Sequence, residues 1–436
     1  MFNRILFSAA VLSILLACNV QGEVYHSTWV GGCCNGYWDD ANNWYPKIVP
    51  DNDGENTFDV TIDANNNYVD VILYKDRTVN RLDCYSADQY DIDLGGNGIT
   101  LTLATSDGLA NYGNLNIADL GFVVVDIDGN VRNYKNLEFD GHIDIDGDLL
   151  NFEKAELEIS TGETSAEGGQ LVNAGTVTIC SLRTFATEPE YINSGHIQIN
   201  GGAYGAEILR NMSTGTVRGF GSLEAEQLLN EGNISAAGGV LSVHIDNPMT
   251  NTGTLRNEPI ASLNIIHAGQ SGNMKNLGMI NVGTGGGVAF DCNLVNEPNG
   301  VIKLFGGALS ATMITQKADA TLQGFGGITG DIVIGPDGII KLTGPTNIVG
   351  DVEIDPNATL EVSDGLTLIT GQTTCNGTIH IKGGYLIPQG GLSGNCNVIW
   401  EPGLYTNVAD FNLDGQVNLK DFAYFADVWL WQTAWR

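Results

Sequence analysis

Through the middle of the chain, apolar and polar residues alternate in short bursts, and one phrase recurs: apolar-x-Asn-x-Gly-x-apolar-x-apolar. It is clearest in LVNAGTVTI around Asn173, YINSGHIQI around Asn193 and LLNEGNISA around Asn230, and it returns at Asn251 and Asn276. Looser copies place the asparagine at 111, 133, 151, 211 and 296. Period-two alternation within each copy predicts short strands with one buried face. Copies that recur about every 20 residues, each with several short strands, predict a solenoid. Leucine-rich repeats are excluded, because their Leu spacing and helix signals are missing. The pattern therefore predicts an all-β, right-handed parallel β-helix over residues 61–400, with inward Ile, Val and Leu forming one core along the axis. At about 4.8 Å per coil, roughly 17 coils give a length of about 80 Å. The repeated Asn suits a turn and stacks into an internal ladder rather than serving catalysis. Past residue 320 the Asn fades, but turn-strand units continue (GDIVIGPDGIIKL, GDVEIDPNATLEV).

Such a stack needs covered ends. The segment TWVGGCCNGYWDDANNWYPKIVP places Trp29, Trp38 and Trp44 among glycines. The series Trp29-x-Gly31-Gly32, Gly36-x-Trp38, Asn43-Trp44 and Val49-Pro50 resembles the Trp-Gly-rich opening of secreted bacterial β-solenoid proteins, including autotransporter-like passengers. The resemblance implies an N-terminal cap over residues 23–60; a sugar-stacking platform is the alternative.

Composition narrows the class. The chain has 436 residues, 57 of them Gly, with 43% hydrophobic residues and a formal charge of −32. Only 19 residues are Lys or Arg, which excludes nucleic acid as a partner and favours cations, neutral glycans or basic proteins. Residues 1–22 read as a signal peptide: Arg4, then an apolar run too short for a mature membrane anchor. Cleavage after Gly22 or lipidation at Cys18, in a lipobox-like Leu15-Leu16-Ala17-Cys18, are the two exits. Either makes the mature chain secreted or cell-surface, with no transmembrane span. Seven further cysteines lack zinc spacing and leave at least one free thiol. Cys375 and Cys396 lie one period apart and are the expected disulfide, with two buried thiols as the alternative.

Residues 410–421, DFNLDGQVNLKD, supply oxygen ligands at the spacing of an EF-hand calcium loop. Asp410, Asn412 and Asp414 open the loop and Gly415 permits the sharp turn. Gln416 offers its carbonyl, Asn418 acts directly or through water, and Asp421 closes the loop. Leu419, Phe422, Ala426, Trp429 and Leu430 follow on one helical face. The closing Asp and the Phe-containing helix resemble a dockerin repeat over residues 405–431, within a module at 401–436. The resemblance implies calcium as cofactor, and a cohesin-like or cell-surface partner met through Leu419 and Lys420. The chain carries one such repeat where the family carries two.

Two coils, VVVDIDGNVRN and GHIDIDGDLLN, raise the remaining chemistry. Asp126 and Asp128 share a strand face. Asp144 and Asp146 follow them by the same step that separates Asn133 from Asn151, and His244 and Asp246 hold a matching offset before Asn251. A second calcium site, an acid pair for glycoside cleavage and plain outward acids before Asp-Gly turns all fit, and the last needs nothing beyond turn chemistry. No nucleophile elbow, zinc-protease or phosphate-loop motif is found. The sequence thus reads as a binding or scaffold protein with a calcium-dependent attachment module. A polysaccharide lyase or glycoside hydrolase of the same fold is the alternative, with polysaccharide as its partner.

Overall fold

The computed structural model describes residues 23–401 apart from 32–35, 54, 65–66, 88, 97, 118–122, 162, 167–168, 181–183 and 269–271. The architecture is a β-solenoid of about 16 turns. The chain divides into two compact units, residues 1–207 and 208–436. Within each unit every coil contributes up to three strands, and each strand pairs in parallel with its equivalent one coil on.

In the first unit, one face runs through Arg81–Ser86, Leu109–Asn111, Val131–Asn133, Leu149–Asn151 and Leu171–Asn173. A second runs through Asp91–Gly96, Asn114–Ile117, Asn136–Asp140, Glu156–Thr161 and Thr176–Ile179. The third holds Ile99–Leu103, Val123–Ile127, His142–Ile145 and Glu163–Ala166. The register stacks like on like: Leu82, Leu109, Val131, Leu149, Leu171 and Tyr191 form one inward column, all buried. The second unit repeats the plan, with Val217, Ile234, Leu255, Ile280, Ile302, Leu322, Ile340, Leu360 and Ile379 as its inward column on the second face. Burying each aliphatic side chain contributes about 1.5–3 kcal/mol, so the core grows coil by coil.

The repeated asparagine ends the first strand of each coil and points inward. All ten copies are buried. In the first unit Asn111 Nδ2 donates to Asn133 Oδ1 at 2.9 Å, Asn133 to Asn151 at 2.9 Å, Asn151 to Asn173 at 2.8 Å and Asn173 to Asn193 at 2.8 Å. The same nitrogen also donates to a backbone carbonyl of the next coil, such as Glu156 O at 2.8 Å or Thr176 O at 2.9 Å. The oxygen accepts a further bond from the residue two places on, as Asn173 Oδ1 does from Gly175 N at 3.1 Å. A second ladder runs through Asn211, Asn230, Asn251, Asn276 and Asn296 at 2.7–2.8 Å, ending on Gln316 Oε1 at 2.9 Å. A buried amide costs free energy unless its donors and acceptor are matched, and here the next coil matches them.

The glycine of the repeat answers to the same stacking. A Cβ at Gly253 would lie 2.1 Å from the Gly232 carbonyl oxygen one coil away, where no side chain fits. Several coils without this glycine use a longer turn whose third residue past the ladder position has positive φ: Lys154 (70°), Asn299 (70°), Asp319 (58°), Asp337 (59°) and Asn357 (67°). Asn and Asp tolerate that region. Ile260 takes the same conformation at φ 69° at another corner, three residues past Asn257, where the strand Thr254–Asn257 of the second face ends, and a β-branched residue is strained there.

Beyond the amides, the ladder position passes to Ile334, Ile354 and Cys375 in the second unit, and to Cys84 before Asn111 in the first. Cys375 is bonded to Cys396, the pair expected from the one-period spacing. Cys84, Cys180 and Cys292 are free thiols; Cys33 and Cys34 lie outside the described residues. Among the described residues no helix is long and apolar enough to cross a membrane.

Two outcomes check this account. Asn173→Ala leaves four polar groups unmatched and should lower stability by about 2–4 kcal/mol in urea unfolding. Ile260→Asn should raise it by about 1 kcal/mol, because the side chain is 84% exposed and gives up no packing.

Candidate functional site

With the inward positions committed to the core, chemistry is left to the outward ones. On the second face of the first unit these form two rows. Asp91, Asn114, Asn136 and Glu156 are in register, as are Asp93, Asn116, Glu138 and Glu158. The amides bond to carboxylates and to one another along the rows: Asn114 Nδ2 donates to Asp91 Oδ1 at 3.1 Å, Asn116 Nδ2 to Asp93 Oδ1 at 2.8 Å and Asn136 Nδ2 to Asn114 Oδ1 at 3.0 Å. Ser160 Oγ donates to Glu138 Oε1 at 2.6 Å and lies 3.2 Å from Glu158 Oε1, so one hydroxyl serves two carboxylates of adjacent coils. The rows line a groove of about 320 Å³. Beside it, burial and the Glu158 carboxylate push the Cys180 thiol up to about 11, which keeps it protonated and non-nucleophilic at neutral pH. The groove offers many acceptors and few donors, a surface suited to sugar hydroxyls.

Sequence reasoning alone misses these rows. Their signal lies in Asn114-x-Asn116, Asn136-x-Glu138 and Glu156-x-Glu158, the outward positions after the ladder turn. It is disguised because the Asn151 turn is two residues longer, shifting the offset from three to five.

The aspartates that the sequence does bring forward stand on the third face. Asp126 and Asp144 are register partners on neighbouring coils, with Thr102 and Ser165 continuing the row. Asp128 and Asp146 lie just past the strands Val123–Ile127 and His142–Ile145, so they belong to the turns and extend no strand face. Partial burial, and then the charges of Asp128, Asp144 and Asp146, hold the Asp126 carboxyl above its ordinary range. Among the described residues no group of three or more His, Cys, Asp or Glu side chains is arranged to hold a metal ion. His244 stands in the second unit, in register with Glu224 and Ile266.

Aromatic side chains form two further features in the first unit. Trp29, Trp38 and Trp44 are buried and pack edge-on, with centroids 4.9 Å apart for Trp29–Trp44 and 4.8 Å for Trp38–Trp44. Trp38 Nε1 donates to Pro50 O at 2.9 Å and Trp44 Nε1 to Trp38 O at 2.7 Å. A Cβ at Gly36 would fall 2.3 Å from the Trp29 ring, which accounts for that glycine. Rings so enclosed offer no face to a sugar. Tyr85, Tyr112, Tyr134 and Phe152 instead stack on successive coils, each one residue past the ladder, with centroids 4.3–4.8 Å apart and planes within 6°. Their neighbouring faces cover one another.

The calcium-loop residues Asp410, Asn412, Asp414, Gln416, Asn418 and Asp421 lie outside the described residues, as do the signal segment and Cys18.

The raised Asp126 pKa fixes a sign. A carboxyl whose pKa is higher folded than unfolded destabilises the charged fold, a penalty absent at low pH and growing as pH rises through that window. Asp126→Asn should therefore raise the melting temperature slightly at pH 7 and leave it unchanged near pH 3. Comparison with protein-family models, with curated proteins and with solved structures finds no match.

Proposed function

We propose that the protein is a secreted or cell-surface β-solenoid scaffold that binds extended polysaccharide along its coil faces and is attached to a partner through a calcium-ordered C-terminal loop. The observation that carries the reading is the groove of Asp91, Asn114, Asn136, Glu156, Asn116, Glu138 and Glu158, which repeats polar groups once per coil. A linear chain of sugars presents hydroxyls at comparable intervals, so each coil adds a contact of the same kind. Support for the attachment module is the ligand spacing of residues 410–421, since calcium takes six to eight oxygens and this order of Asp, Asn and Gln wraps one chain around it. The dockerin resemblance of residues 405–431 favours a cohesin-like or surface-protein partner.

One observation favours the second reading, a polysaccharide lyase or hydrolase. Glu138 and Glu158 are carboxylates of adjacent coils joined through Ser160, and two carboxylates at such close range are the machinery of retaining glycoside cleavage. Asp126 and Asp144 form a similar register pair on the third face. Reducing-end release from polysaccharides by the purified chain, abolished in both Glu138→Gln and Glu158→Gln, would establish the enzyme. Binding without release, weakened by the same substitutions, is the outcome expected of a scaffold.

Calcium titration of the full chain should reveal one site, lost in the Asp410→Ala/Asp414→Ala double variant. A full affinity retained by that variant would remove the C-terminal loop from the account.

A further inference from the structure

The second unit carries a different chemistry on its second face. Its outward row reads Arg218, Ser235, Arg256, Asn281, Lys303, Gln323, Lys341, Glu361, each in register with the next. A cation therefore stands on every second coil, with an uncharged polar side chain between, from Arg218 to Lys341. Two coils span about 9.6 Å, close to the length of two linked pyranose rings. In a chain with 19 Lys and Arg against 51 Asp and Glu, such an alignment of positive charge is a local departure from the composition.

The row is not uniform. Arg218 grips Glu258 through Nε at 2.8 Å and Nη2 at 2.9 Å, and Arg256 lies 4.0 Å from the same carboxylate. Those two cations share one counter-charge within the protein. Farther along, Glu361 is held by Lys382 at 3.1 Å. Between these ion pairs, Lys303 and Lys341 have no carboxylate within ion-pair distance among the described residues. Gln323 lies between them, and two grooves of about 220 and 270 Å³ meet at it, one lined among others by Lys303 and Thr343, the other by Thr321 and Lys341 together with the carboxylates of Asp319 and Asp337.

Two phenyl rings also stand on this face. Phe305 and Phe325 follow Lys303 and Gln323 by two residues, are in register, and are 48% and 39% exposed. Unlike the stacked rings of the first unit, they make no ring–ring contact with each other. Phe325 lies against glycines of both flanking coils, since a Cβ would come within 3.1 Å of Phe325 Cε2 at Gly306 and within 3.0 Å of Phe325 Cγ at Gly344. Apolar ring faces beside unpaired ammonium groups and a primary amide are what a charged sugar chain requires, because its ring C–H faces stack on aromatics while its carboxylates take the cations.

We propose that this face, centred on Lys303, Phe305, Gln323, Phe325 and Lys341, binds a linear polysaccharide carrying one anionic group per disaccharide. The polymer lies along the coil-stacking direction of the second unit, with charged sugars at the lysines and uncharged sugars at the intervening Gln323. The net negative charge elsewhere does not forbid this, since at physiological ionic strength charges beyond about 8 Å are largely screened. The proposal rests on the reading of the chain as a polysaccharide-binding scaffold, and is independent of the calcium loop and of the groove in the first unit.

The test is binding of the full-length protein to hyaluronan, which has one carboxylate per disaccharide, with carboxyl-reduced hyaluronan and polyglutamate as competitors. Binding should fall about tenfold in Lys303→Gln/Lys341→Gln, with a shallower dependence on salt. Phe305→Ala/Phe325→Ala should also weaken it while keeping the salt dependence, and both variants should melt as the parent does because these side chains are exposed or half-buried. Unchanged affinity in the lysine variant overturns the proposal, as does equal competition by polyglutamate, which would mark generic polyanion adhesion. Binding of the reduced polymer as strongly as the acid overturns the charged row and leaves the scaffold reading standing. Failure to bind either polymer overturns the proposal, and the scaffold reading then stands on the first-unit groove alone.

Discussion

A primary amide has two donors and one acceptor oxygen with two lone pairs, and the ten coils that carry the ladder asparagine are organised around satisfying these groups at one buried position. The amide of Asn173, for example, gives its hydrogens to Asn193 and to the His196 carbonyl and takes bonds from Asn151 and Gly175. This arrangement requires consecutive coils to approach at the strand-pairing distance at that turn, whatever happens elsewhere on the circumference. Other constraints follow from it. Glycine stands two residues on because the neighbouring carbonyl leaves no room for a Cβ, and where the turn is longer a residue tolerant of positive φ takes over. Length differences fall partly at this turn, as after Asn151, and partly at the other corners, and the short coil between Asn133 and Asn151 and the long one between Asn251 and Asn276 keep the same ladder register.

Because the inward positions hold the coils together, outward side chains are free to vary without cost to the fold. The two units use that freedom differently. The second face of the first unit gathers carboxylates and amides into an acceptor-rich groove, while the corresponding face of the second aligns cations at alternate coils beside partly exposed phenyl rings. Both are rows rather than pockets. A row suits a ligand that is itself periodic, and so favours polymers over small molecules. The first unit also shows that aromatic content alone is no guide to recognition: its tryptophans are enclosed and its tyrosines stack on one another, whereas Phe305 and Phe325 make no ring–ring contact with each other.

Much of the solenoid was legible in the sequence because each ladder asparagine sits beside alternating aliphatics and a glycine, and the physical reasons for those residues act over a few positions. The Cys375–Cys396 bond was legible for the same reason, since one period equals one coil. The outward rows were harder to read. Lys303, Gln323 and Lys341 are unevenly spaced along the chain, and Asn136 and Glu156 take different offsets from their ladder residues, so alignment emerges only once turn lengths are known. Asp128 and Asp146 illustrate the converse: alternation placed them on the strand, but the chain has already turned. The calcium loop is the reverse case, a motif written plainly in residues 410–421 whose geometry lies outside the described part of the chain.

The claim on which the rest depends is that neighbouring ladder amides are energetically coupled across coils. A double-mutant cycle on Asn230 and Asn251, with alanine at each and at both, measures that coupling by denaturant unfolding. Adjacent amides bonded at 2.7 Å should be non-additive by about 1 kcal/mol or more, because the second substitution removes a partner already lost. Additive losses would mean that the two side chains act separately, and the stacked-amide account would be contradicted.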